Sequence, residues 1–158
     1  MILENFNPNN RLRLSEITRE QYRKGVREKI PNMPGAYIIV YSINGVPQHL
    51  NRLNGVDEEG IFCIGKAKNL AERIIQFVSD ILTEGLKVKV HSEGWNFRRY
   101  FRDNPEGKIK PKIDDLEIYW KVLESESAAL KFETQLIQSY VMNFQDKPPL
   151  NISIKRER

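Results

Sequence analysis

Glu133 stands where the sequence leaves little room for a charge. Ser125 to Phe144 reads as a helix with Ser125 as its N-cap. At about 100° per residue, Leu130, Ile137, Phe144, Tyr140, Ala129, Leu136 and Val141 fill one arc of the wheel, and Glu133 falls near the middle of it. Burying an unpaired carboxylate costs several kcal/mol, so Glu133 calls for a cation, a metal ion or a water-filled cleft. Metal-dependent phosphodiester chemistry needs a carboxylate aimed into a cleft. A slightly rotated helix would instead leave Glu133 at the rim or paired to a lysine.

A second set of chemical groups lies in GIFCIGKAKNLAERI, residues 60–74. A short apolar strand passes through a Gly-Lys turn into a helix capped by Asn69, with Glu72 at the capping-box position. Such a junction can present backbone N–H groups and cations to a phosphate; an ordinary strand-to-helix turn looks the same. Arg73 sits beside Leu70, Ile74 and Phe77, where an arginine commonly snorkels to solvent. Tyr37 and Tyr41 share one face of a strand with Ile39 between them, a pattern usual for packing.

The elements that must position these groups follow from periodicity. Residues 1–13 are polar and read as an irregular arm. Ser15 to Ile30 reads as a helix, with Ile17, Tyr22, Val26 and Ile30 as its stripe and Gly25 weakening it. Gly35–Ser42 and Gly60–Gly65 read as strands. Between them, residues 44–59 carry two Asn-Gly turn signals and read as a long loop or extended hairpin. The helix from Asn69 ends at Gly85, and residues 85–93 can add a short strand. Leu116–Glu124 alternates and reads as the third main strand. Two strands joined without a helix imply an antiparallel hairpin. The expectation is an α+β layer fold with a small, mainly antiparallel three-stranded sheet flanked by helices.

The chain has 158 residues, 40% hydrophobic and 29% charged, which suits one globular domain. No apolar run approaches the length of a membrane span, and the first residues lack the layout of a secretory signal. The one cysteine, Cys63, has no internal disulfide partner. The expected compartment is the cytoplasm, with no membrane partner. A net charge of +4 is compatible with an anionic partner. Residues 96–112 are basic, aromatic and broken by Pro and Gly. Arg98, Arg99, Arg102, Lys108, Lys110 and Lys112 there are candidate phosphate contacts, with Trp95, Tyr100 or Phe101 as stacking platforms; the plainer reading is a solvated basic loop.

Taken together, these residues resemble the GIY-YIG endonucleases. The first motif of that family is matched by Pro34-Gly35-Ala36-Tyr37, and the second by Cys63-Ile64-Gly65 followed by Lys66-Ala67-Lys68-Asn69-Leu70. The helical arginine falls on Arg73, the metal-binding glutamate on Glu133 and the late asparagine on Asn151. The resemblance spans roughly residues 34–152, in order. It divides the chain into an arm and helix (1–33), a GIY-YIG-like nuclease domain (34–152) and a basic tail (153–158). It implies a three-stranded antiparallel sheet and a one-metal hydrolysis of phosphodiester bonds. Glu133 would hold Mg²⁺ or Mn²⁺, and Tyr37 would orient or deprotonate the attacking water with help from Lys66. Arg73 would stabilise charge on phosphorus, and Asn151 would close the site near the metal. Lys68 joins the basic contacts to nucleic acid.

Three departures accompany the match. Cys63 replaces the tyrosine of the second motif, Phe77 stands where many members carry His or Tyr, and an insertion separates Tyr37 from Cys63. They fall on the water-activating half of the site and leave the metal and arginine half intact. The expected activity is a metal-dependent DNA endonuclease of restriction, mobile-element or repair type, with RNA left open as substrate. One active site per chain implies that double-strand cuts need two protomers, as a homodimer on DNA, or two sequential visits. The N-terminal helix, the 44–59 insertion and residues 96–112 would supply DNA contacts. The alternative is a DNA-binding module of the same fold with a decayed site.

Overall fold

The computed structural model describes residues 1–82 and 112–151. The strand considered in 85–93, the helix end at Gly85, the basic residues Arg98, Arg99, Arg102, Lys108 and Lys110 with the aromatics beside them, and the tail 153–158 lie outside the described residues.

The described residues form an α+β layer structure. Seven strands run in chain order: β1 (Arg11–Arg13), β2 (Gly35–Ile43), β3 (Val46–Pro47), β4 (Leu50–Asn51), β5 (Val56–Asp57), β6 (Ile61–Ala67) and β7 (Leu116–Val122). Three helices accompany them among these residues: α1 (Tyr22–Lys29), α2 (Leu70–Leu82) and α3 (Glu126–Phe144). β2 is the centre of the main sheet, pairing antiparallel with β7 on one side and β6 on the other. β1 extends the β7 side and β3 pairs the far end of β2, both antiparallel. The sheet thus has five strands rather than the expected three, because two short pieces of irregular-looking sequence add to it.

Alternation along the strands divides the interior into two cores. Tyr37, Ile39 and Tyr41 of β2 join Cys63 of β6, Ile118 and Trp120 of β7, and Leu70, Ile74, Phe77 and Val78 of α2. Ile38 and Val40 join Ile61 and Ile64 of β6 and Leu136 and Tyr140 of α3 on the other face. The period of two that a pleated strand imposes therefore puts α1 and α2 on one side of the sheet and α3 on the other.

The N-terminal reading needs correction. Residues 1–13 are not an irregular arm: Ile2, Phe6 and Leu12 are buried, and Arg11–Arg13 pair with β7. The Glu59 carboxylate accepts the backbone N–H groups of Ile2 (2.7 Å) and Leu3 (2.9 Å), tying the first residues down. Few apolar residues in a polar stretch hid this: Ile2 and Phe6 join the core under α3, and Leu12 the core on the other face. The helix from Ser15 is also shorter than expected. Ile17 and Thr18 are extended, Ser15 lies in a 3₁₀ turn, and α1 begins only at Tyr22. Gly25 does not weaken a stripe here; it makes room for Ile17, whose side chain a methyl at that position would meet at 2.8 Å.

The insertion folds onto α3. Asn44 and Gly45 both have positive φ, 52° and 81°, the turn that joins β2 to β3 with the twist of a tight hairpin. Beyond it, Arg52 pairs with Asp146 at 2.9 Å and donates to the Lys147 carbonyl. The Asn54 N–H and side-chain amide donate to the carbonyls of Phe144 (2.9 Å) and Asn143 (3.3 Å). Buried Asp57 accepts from the Tyr140 hydroxyl at 2.9 Å and from the N–H groups of Glu59 and Ile61. Residues 52–57 thus satisfy carbonyls that a helix C-terminus leaves unpaired. Much of the polar chemistry of the insertion is engaged with α3.

Candidate active site

α3 carries Glu133 much as its pattern predicts. Ser125 Oγ accepts the Ala128 N–H at 3.1 Å, the expected cap. Ala129, Leu136 and Tyr140 are buried, and Phe132, Ile137 and Phe144 pack partly against the sheet. Leu130 leaves the arc and is 48% exposed. Glu133 remains on the inward side, half-buried, and lines a cleft rather than the core.

That cleft, of about 540 Å³, is bounded by Lys66, Ala67, Lys68, Asn69, Glu72, Arg73, Glu126 and Glu133. Its place follows from the topology. β6 is an outer strand of the sheet, and α2 and α3 reach past it from opposite faces. The end of β6 supplies Lys66, the turn supplies Lys68, α2 supplies Arg73 and α3 supplies Glu133. The cleft thus holds three cations, Lys66, Lys68 and Arg73, against three carboxylates, Glu72, Glu126 and Glu133. Glu126 pairs with Lys66 at 3.3 Å, and Glu72 with Arg27 of α1 at 2.8 Å. Sequence reasoning found Lys66, Lys68, Arg73 and Glu133 but missed Glu72 and Glu126 as lining residues. Their partners lie tens of residues away, a separation that local patterning does not register.

The first N–H groups of α2 are engaged within the protein. The Leu70 N–H donates to Met33 O at 2.9 Å and the Ala71 N–H to Pro31 O at 3.3 Å. The Glu72 N–H goes to Asn69 Oδ1 at 3.1 Å and the Arg73 N–H to Asn69 O at 3.0 Å. Of the groups that a helix N-terminus leaves over, those of Leu70 and Ala71 are taken by the loop after α1 and that of Glu72 by the cap, while the Arg73 bond is the first within the helix. Side chains, not the helix end, carry the positive charge of this cleft. The Glu72 carboxylate, expected to close a capping box, turns instead to Arg27.

Tyr37 and Asn151 stand outside the lining. Tyr37 has no exposed surface. It sits between Gly65 of β6 and Trp120 of β7 in the ladder, and its hydroxyl accepts from Arg73 Nε at 3.0 Å. Gly65 is required by this arrangement: a methyl there would overlap the Tyr37 ring at Cζ and Oη. Asn151 uses both ends of its amide on one residue of β6. Oδ1 accepts the Ile64 N–H at 2.9 Å, and Nδ2 donates to the Ile64 carbonyl at 2.8 Å. Its side chain stands in for a neighbouring strand at the sheet edge, so a part near a metal, as the resemblance implied, is not the one these bonds give it. Cys63 and Phe77, the departures from the motif, are both buried in the core beneath α2. Lys112 is exposed and distant from the lining; its N–H bonds the Asp115 carboxylate at 3.0 Å.

Set against protein-family models, curated proteins and solved structures, the chain matches none. The functional argument therefore rests on the cleft itself. No group of three His, Cys, Asp or Glu side chains among the described residues makes a ready metal cage. Mg²⁺ does not demand one: it usually binds through one or two carboxylates, with waters and substrate phosphate oxygens completing its shell. Glu133 in an open cleft fits that mode. No helix of the described residues is long and apolar enough to cross a membrane.

Proposed function

We propose that the chain is a metal-dependent phosphodiester hydrolase acting on DNA, with a GIY-YIG-like fold and site. The observation that carries the reading is the convergence of Lys66, Arg73 and Glu133 from three separate elements on one cleft. The fold supports it: strands β7, β2 and β6 are antiparallel neighbours, and the two motifs lie side by side with Tyr37 opposite Gly65. Charge supports it too. Three cations against three carboxylates leave the lining formally neutral, so a phosphodiester gains little net attraction until a divalent cation joins.

Glu133 would hold that ion, Mg²⁺ or Mn²⁺, and the bound metal would supply Lewis-acid stabilisation of charge on the phosphate. Arg73 donates to the phosphate oxygens, where negative charge grows in the transition state. Lys66 exchanges the Glu126 carboxylate for phosphate. That exchange costs little, since a half-exposed ion pair contributes at most about 1 kcal/mol. Lys68, exposed at the mouth, contacts the neighbouring backbone phosphate.

A second reading, a DNA-binding module without catalysis, draws on one observation: Tyr37, Cys63 and Phe77 are wholly buried and bring no water-activating group to the surface of the cleft. One experiment decides between the two. Supercoiled plasmid is incubated with the protein in Mg²⁺ or Mn²⁺, beside a gel-shift in EDTA. Nicked or linear product that disappears in EDTA is the expected result; a shifted band with intact plasmid under every metal supports the binding module instead.

A further inference from the structure

The resemblance makes Tyr37 a phenol that handles the attacking water, but its surroundings give it a different task. We propose that Tyr37 is a positioning residue for Arg73: from beneath the cleft, its phenol oxygen fixes the guanidinium that faces the scissile phosphate. The proposal rests on the hydrolase reading above.

A group that takes a proton from water must lie within about 2.6–3.2 Å of it. Tyr37 has no exposed surface and is not among the residues that bound the cleft. Its ring lies so close over Gly65 that there is no space for even a methyl there. Its oxygen is held to Arg73 Nε at 3.0 Å, and the Arg73 guanidinium carbon lies 6.0 Å from the ring centroid, at the outer range of a cation–π contact.

Arg73 lies on the boundary that Tyr37 does not reach. A guanidinium is a planar fork of five N–H donors. Anchoring it at Nε fixes the plane in which the others lie. A long side chain pays rotamer entropy each time it must be placed, and an anchor below removes most of that cost before substrate arrives. The Tyr37–Gly65 pair is thus a rigid floor on which Arg73 stands.

The test combines a structural and a kinetic readout. By NMR, the Arg73 Nε–H of the wild-type protein is expected to be protected from solvent exchange, and that protection to be lost in Tyr37→Phe, which keeps the ring. An unprotected Nε–H in the wild type overturns the proposal. In single-turnover cleavage of one DNA substrate with Mg²⁺, Tyr37→Phe is expected to be slower by about tenfold, the scale of one lost hydrogen bond, with unchanged DNA affinity and an unchanged shape of the pH–rate profile. In an Arg73→Ala background, Tyr37→Phe is expected to cost nothing further. Loss of a limb of the pH profile, or a full additional loss in the Arg73→Ala background, would show that Tyr37 acts on water directly and not through Arg73. Wild-type protein that protects the Nε–H but cleaves no DNA under any metal defeats the hydrolase reading and leaves the anchor standing.

Discussion

The amide of Asn151 brackets the peptide of Ile64, accepting its N–H at 2.9 Å and donating to its carbonyl at 2.8 Å. An outer strand exposes unpaired backbone groups that otherwise invite a neighbouring strand, and here one side chain supplies both partners. Asn151→Ala is expected to lower stability by about 1–3 kcal/mol, the cost of leaving such groups without partners. Asn151→Asp is expected to cost at least as much, because a carboxylate oxygen would face the Ile64 carbonyl. Urea midpoints for the three proteins check this. Midpoints that coincide would remove the clamp from the account of the edge.

How far the sequence revealed this arrangement depends on the range of each interaction. Ser125 and Asn69 cap helices through bonds three residues long, so both were legible. So were β2 and β6, whose apolar runs are continuous, and β7, whose residues alternate. Glu133 was legible because one charge interrupted a seven-residue arc. The clamp of Asn151 on Ile64 spans 87 residues, and the Asp57–Tyr140 bond spans 83; no local pattern carries either. β1 was missed because three residues, two of them arginine, gain their strand geometry only from β7. The N-terminal N–H groups of α2 had two open readings for the same reason. Whether they meet a phosphate or the carbonyls of Pro31 and Met33 is decided by how α1 packs.

Gly65→Ala is expected to destabilise the protein although it adds one carbon. The new methyl would overlap the Tyr37 ring, and overpacking of this kind costs about 1–3 kcal/mol. The same substitution in a Tyr37→Leu background is expected to cost much less, since the group it strikes is gone. Thermal midpoints of the four proteins form the cycle. Additive losses would mean that Gly65 is needed for its backbone and not for the ring.

Stability is expected to fall on the alkaline side. Tyr140 is pushed well above the ordinary phenol value, by burial first and by the neighbouring Asp57 carboxylate next. Tyr119 and Tyr41 are raised as well, in both cases chiefly by burial. A phenol whose folded pKa exceeds its unfolded one keeps its full contribution below about pH 10 and loses it as pH rises toward the folded value. In that window the unfolded chain holds fewer protons than the native one. Each such group then lowers unfolding free energy by about 1.4 kcal/mol per pH unit. Tyr140→Phe is expected to flatten the decline above pH 10 while lowering stability at pH 7, where the bond to Asp57 is lost. Denaturant melts between pH 7 and 11 measure both. An equally steep decline in the variant would assign the alkaline loss to other groups.

Glu133→Gln is expected to abolish metal-dependent cleavage and leave stability level or slightly higher. The amide keeps the shape of the side chain but removes the charge that would hold a divalent cation, and a half-buried carboxylate loses some hydration that an amide needs less. DNA affinity in EDTA is expected to stay unchanged or rise, because a negative charge leaves the cleft lining. Plasmid cleavage, melting temperature and a gel-shift give the three values. Cleavage at the parent rate would sink Glu133 as the metal ligand.

Cys63 separates two chemistries for the same cleft. A cysteine nucleophile must be a thiolate with access to phosphorus, and a nearby cation such as Lys66 would be the group to lower its pKa. The strand geometry opposes that pairing. Cys63 belongs to the core beneath α2 with no exposed surface, whereas Lys66 reaches Glu126 of α3 on the other side of the sheet. Residues three apart on a strand point to opposite faces. The thiol therefore packs against apolar neighbours and is expected to be inert. Iodoacetamide is expected to modify it slowly in native protein and rapidly in urea. Cys63→Ser and Cys63→Ala are expected to keep most of the cleavage rate, with a modest loss of stability from the changed packing. Arg73→Ala, measured on the same substrate, is expected to lose far more in turnover than in affinity, since one phosphate contact among several contributes little to binding but its charge meets the transition state. Rapid inactivation of native protein by iodoacetamide without metal, together with a dead Cys63→Ser, would instead establish a covalent route and overturn hydrolysis by metal and water.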